Sequence, residues 1–188
     1  IEARIGGSQL TSAGTITVNP GGMLRVIDST NIGATVTTVN SNNDGLGVFG
    51  IAYNGAVPGS VTFNSTNPNY DGTLAIDVVG YSQNISQAGT KMILGSTLGG
   101  NFTGTLTAGT GNVYRLGTGG GALNINRELT GTSSVNVGAT SGTPGANLLG
   151  NAGTVVLNTP NSYSGGTVIN GNAIVQIGNA NALGTGAI

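Results

Sequence analysis

No apolar run in this chain outlasts a single β-strand, and none repeats with the 3.6-residue period of a helix. Short β-prone runs recur instead at Thr15–Val18, Met23–Ile27, Ala34–Val39, Val48–Tyr53, Ser60–Phe63 and Thr73–Val79. The series continues with Lys91–Leu94, Asn112–Leu116, Ala122–Ile125, Ser134–Val137, Thr154–Leu157, Thr167–Ile169 and Ala173–Ile177. Gly, Asn, Pro and Ser separate them, residues that reach positive φ or preset a turn at little steric cost. The window from Tyr81 to Leu94 lacks an apolar stripe and carries an internal Gly, so at most Ser82–Gln87 is expected to form a helical turn.

Strands this short bury too little surface alone and need neighbours stacked on them. Their openings share one template, Gly-Thr followed by β formers, at Gly14, Gly72, Gly104, Gly153 and Gly166. The expected fold is therefore all-β, a right-handed parallel β-helix with three strands per coil. At about 20 to 25 residues per coil the chain makes roughly eight coils. A β-sandwich is the alternative, supported by Asn54-Gly55 and Asn170-Gly171 as hairpin turns. Three Phe, five Tyr and no Trp supply few of the large side chains that a sandwich core uses.

Composition removes several functions. Only 6% of residues are charged and the net charge is -1, which offers no basic patch to nucleic acid or to anionic lipid. Stacking itself disfavours charge, because like charges one rung apart repel, whereas Asn and Thr can hydrogen-bond along the axis as ladders. The chain contains neither Cys nor His. Disulfides, thiolate nucleophiles and a Ser-His-Asp triad are thus excluded within it. No apolar run approaches the roughly 20 residues that span a bilayer, so no membrane insertion is expected here. The chain starts at Ile1 rather than Met, and is read as processed or as an excerpt.

Within residues 151–186 four blocks stand in order: Gly153-Thr154-Val155-Val156-Leu157, Asn161-Ser162-Tyr163-Ser164-Gly165-Gly166-Thr167, Ile174-Val175-Gln176-Ile177-Gly178-Asn179 and Ala182-Leu183-Gly184. They resemble the autotransporter-associated β-strand repeat, whose pattern runs G-T-V-x-L, N-x-Y-x-G-G-T, L-x-I-G-N and A-L-G. Gly171-Asn172 departs from the family's more frequent Ala-Gly. The resemblance implies an exported β-helical passenger or stalk on the bacterial surface or outside the cell. It makes Gly153, Thr154, Leu157, Tyr163, Gly165, Gly166, Thr167, Gly178, Leu183 and Gly184 structural, and it implies no catalytic residue and no cofactor. After Leu183-Gly184 the family pattern continues much as Gly14–Leu24 reads. Residues 1–188 are therefore expected to be one unit of a longer array, or a protomer stacking head-to-tail on itself.

The remaining candidates each have a plainer reading. Of the six acids, Glu2, Asp28, Asp44, Asp71, Asp77 and Glu128, only Asp71 and Asp77 lie close in sequence as a polysaccharide-cleaving pair would. Asp71 otherwise reads as a turn residue and Asp77 as an outward strand position. Asp44 and Asp71 sit in oxygen-rich loops that are weak candidates for Ca²⁺, an ion that takes about six to eight oxygens. Asn64, Asn84 and Asn101 begin N-glycosylation sequons, which arise by chance in so Asn- and Thr-rich a chain. Gly117–Gly121 reads as a coil corner rather than a phosphate loop. Arg25 and Arg115 are expected to lie along the stack or to pair with an acid. An adhesive face binding glycans or matrix is the second functional reading, favoured if Tyr53, Tyr70 and Tyr81 cluster in the open.

Overall fold

The computed structural model describes residues 2–5, 14–28, 36–43, 45–58, 60–139 and 153–188. Its strands are β1 to β17 in chain order. One sheet of eight carries β1 (Glu2–Ile5), β3 (Met23–Val26), β5 (Val48–Ile51), β7 (Gly72–Ile76), β9 (Met92–Gly95), β12 (Val113–Leu116), β14 (Ser134–Val137) and β16 (Thr167–Ile169). A second face stacks β10 (Gly100–Phe102), β13 (Ala122–Ile125), β15 (Thr154–Leu157) and β17 (Ile174–Ile177). The third is split into β2 (Thr15–Val18), β4 (Val36–Ser41) and β6 (Val61–Ser65), and separately β8 (Ile85–Ser86) with β11 (Leu106–Thr107).

All pairings between these strands are parallel, which makes the molecule a β-solenoid and removes the antiparallel sandwich. Its longest face is eight strands deep, one strand per coil. The coil length is not constant: Asp71 and Lys91 meet one rung apart at a separation of 20 residues, Ser41 and Ser65 at 24, and Leu129 and Asn161 at 32. Among the described residues there is no helix, and none long and apolar enough to cross a membrane. The segment expected to give a helical turn, Ser82–Gln87, contains β8 instead.

The core consists of columns. Leu24, Phe49, Leu74, Leu94, Leu116 and Val137 follow one another in register through the eight-stranded sheet, and Val26, Ile51 and Ile76 run beside them. On the second face Phe102, Ile125, Leu157 and Ile177 form the equivalent column. Polar ladders run outside, as stacking requires: Asn40 is in register with Asn64, Asn67 Nδ2 donates to Asn43 Oδ1 at 2.7 Å, and Asn158 Nδ2 to Asn126 Oδ1 at 2.7 Å. The third face breaks between β6 and β8, where the 24-residue coils give way to the 20-residue ones.

Candidate functional site

The four sequence blocks of residues 151–186 meet in one place. Asn161, buried, accepts from Leu129 N at 2.7 Å through Oδ1 and donates Nδ2 to Ala182 O at 2.6 Å, so it ties the preceding coil to the Ala182-Leu183-Gly184 block. The Tyr163 ring is fully buried and its hydroxyl bonds Thr167 Oγ1 at 2.6 Å. Thr185 N donates to Tyr163 O at 2.9 Å. Gly184, at φ 66, lies flat on that ring; a Cβ there would stand 2.4 Å from Tyr163 O and 2.9 Å from ring carbons. Gly153, Leu157, Gly166 and Thr167 are buried too, while Thr154 and Leu183 are half-buried and Gly165 and Gly178 exposed. These residues lock one coil to the next and expose no reactive group.

Arg25 and Asp77 form the buried ionic centre. Their side chains are 5% and 0% exposed, with Arg25 Nε donating to Asp77 Oδ2 at 3.0 Å. Arg25 belongs to β3 and Asp77 follows β7, two rungs away, so the guanidinium has to travel along the stack. Gly50 makes room: it pairs with Arg25 in register, and a Cβ on it would stand 3.5 Å from the Arg25 stem and 3.4 Å from Asp77 Oδ2. Arg25 Nη2 also donates to Thr97 Oγ1 at 2.6 Å, one further rung on. Asp77 accepts from Thr97 Oγ1 (2.5 Å), Thr97 N (2.7 Å), Ser96 Oγ (3.0 Å) and Leu98 N (3.2 Å). Burial pushes the carboxyl up, but the bonds from Thr97, Leu98 and Ser96 outweigh it and hold the acid below its ordinary range.

This arrangement corrects the reading of Asp77 as an outward strand position. Both its oxygens are saturated by donors, which leaves it neither a proton acceptor for a substrate nor an ion ligand. Asp71 and Asp77 flank β7 at opposite ends, about 20 Å apart at strand rise, so the sequence pair is no pair in space. Asp71 Oδ2 accepts from Lys91 N at 2.5 Å, a brace between rungs, while Lys91 Nζ reaches Pro68 O. Among the described residues no three of His, Cys, Asp and Glu gather as a metal would need. Asp44 lies outside the described residues.

Tyr70 and Tyr81 are 2% and 0% exposed, so the open tyrosine cluster that would have favoured an adhesive face is absent. Tyr81 stacks on Phe102 at 6.2 Å between ring centroids, and Tyr53 is half-buried with its hydroxyl bonded to Ala56 O. Aromatic bodies here are core, because few other large side chains are available to fill it. Of the sequons, Asn64 and Asn84 are exposed and Asn101 is half-buried on β10; Asn84 Oδ1 is engaged by Thr105 N at 3.0 Å.

β16 and β17 stand at one end of their sheets, as β1 and β10 do at the other. Ala187 O accepts from Thr167 N at 2.8 Å. Val168, Ile169, Ile174 and Ile177 are each about half exposed, from 49% to 54%.

The chain is similar to part of an autotransporter adhesin. It is 32% identical to the adhesin BmaC autotransporter of Brucella suis biovar 1 (strain 1330) in an alignment that covers 88% of this chain. The chain spans only 5% of that relative's length. No family model matches the chain. No solved structure matches it either.

Proposed function

We propose that this chain is a β-solenoid segment of an exported bacterial surface protein, and that its work is structural and non-enzymatic. The observation that carries the reading is the parallel stack itself: its longest face is eight strands deep, apolar columns fill its interior, and the polar groups at Asn161 and Asp77 are used up in ties between coils. Such coil-on-coil stacking builds a stalk that holds other parts away from the cell. Similarity to an autotransporter adhesin supports a location at the bacterial surface or outside the cell.

The reading is tested by immunogold labelling of intact source cells together with sedimentation of the purified chain. Surface label and end-to-end oligomers that disperse in an Ile169→Lys/Ile174→Lys variant are expected. Intracellular label, or a chain that stays monomeric at high concentration with its terminal apolar residues intact, contradicts it.

A second reading, adhesion to surface glycans or matrix, is favoured by the name of the relative, which is an adhesin. The burial of Tyr70 and Tyr81 removes the aromatic platform that would have supported it within this segment. Binding of the isolated segment to immobilised glycans or matrix proteins distinguishes the two: saturable binding supports adhesion here, and its absence assigns adhesion to other parts of such a protein.

A further inference from the structure

The chain has two Asn-Gly pairs, Asn54-Gly55 and Asn170-Gly171, and the structure treats them oppositely. At Asn54 the amide is held from both sides by Ser82: Oδ1 accepts from Ser82 N at 3.0 Å and from Ser82 Oγ at 3.3 Å, and Nδ2 reaches Ser82 Oγ at 3.2 Å. At Asn170 the amide nitrogen is buried and has no hydrogen-bond partner. Asn170 opens the turn from β16 to β17, where Ala173 N donates to Asn170 O at 3.2 Å, and Gly171 at φ 55 is exposed. No hydrogen bond holds Asn170 Nδ2, and Gly171 has no Cβ to obstruct an approach of the side chain to the backbone nitrogen that follows it.

We infer that Asn170-Gly171 is a self-modification site, at which the side-chain amide is converted to an acid while Asn54-Gly55 is protected. The Gly171 backbone nitrogen attacks Asn170 Cγ. The new N–Cγ bond forms as the Cγ–Nδ2 bond breaks, and Nδ2 leaves as ammonia, taking up through solvent the proton that Gly171 gives up. Water then opens the five-membered imide at either carbonyl, giving aspartate or isoaspartate at position 170. Losing Nδ2 forfeits no hydrogen bond, because it makes none. The product adds one negative charge to a chain whose net charge is -1, and the isoaspartate form adds a carbon to the backbone of the turn that joins β16 to β17. The modification therefore acts as a clock on the last described coil.

The test is to age the folded chain in neutral to mildly alkaline buffer and to follow both sites by peptide mapping, with enzymatic isoaspartate methylation as the second readout. An amide freed of clamping hydrogen bonds of ordinary net strength converts about tenfold faster than a clamped one, so Asn170 outpaces Asn54 by that factor. In denaturant the two rates converge. Ser82→Ala removes both hydroxyl bonds but keeps the bond from the backbone nitrogen of residue 82, so it raises the Asn54 rate part of the way toward that of Asn170 and leaves Asn170 unchanged. Equal rates in the folded chain, or a faster Asn54, overturn the inference, as does a Ser82→Ala chain in which the Asn54 rate does not rise.

Discussion

Asp77 shows how a single residue can be legible in type and illegible in place. A carboxylate in a chain with only six acids invites a functional reading, yet this one is spent on Arg25, Ser96, Thr97 and Leu98. Asp77→Ala removes the buried carboxylate to which Arg25, Ser96, Thr97 and Leu98 are bonded and is expected to lower unfolding free energy by about 3–5 kcal/mol in denaturant titrations. The pH dependence follows from the lowered folded value. The contribution is complete above the unfolded reference of 3.8 and disappears as pH falls through the lower folded value, so Asp77→Ala flattens the acid limb of stability. Tyr81 acts at the other end of the scale. Burial, with Tyr53 nearby, pushes its hydroxyl from 10.0 to about 12, so the unfolded phenol ionises first and stability declines as pH rises between those two values. Phenolate absorbance recorded with unfolding checks this, and Tyr81→Phe removes that part of the decline.

At the scale of elements, turn glycines and Gly-Thr openings located most strands, because short β-prone runs between turn residues have few other uses. The missed elements are β1, β8 and β10. β8 and β10 are only two and three residues long, and each is a strand through its pairing with one neighbour, β11 and β13 respectively. The Gly-Thr template marks strand openings but not faces: it starts β2 on the third face, β7 and β16 in the eight-stranded sheet, and β15 on the second. What the template could not reveal is which glycines are obligatory. A Cβ on Gly100 would stand 2.1 Å from Ile76 O, whereas one on Gly80 at φ 76 meets nothing within 4 Å. Gly100→Ala is thus expected to cost about 3 kcal/mol or more through displaced backbone, and Gly80→Ala about 1 kcal/mol from conformation alone; thermal unfolding of both variants separates the two effects. Asn161→Ala leaves Leu129 N and Ala182 O without their buried partner, at about 2 kcal/mol or more, measurable in the same way.

For the whole molecule, the parallel solenoid was readable from strand length, turn density and scarce charge, all of which follow from stacking like on like. The length of each coil was not, since coils of 20, 24 and 32 residues share one stack and extra residues leave the core columns untouched. The ionic centre was also hidden, because Arg25 and Asp77 are 52 residues apart and meet only across two rungs. The central claim is that these coils form one continuous parallel stack. Image-averaged electron microscopy of the native surface material tests it most directly. The account predicts an unbroken repeat of about 4.8 Å along the stack axis; density without that repeat, or with neighbouring strands running antiparallel, would contradict it.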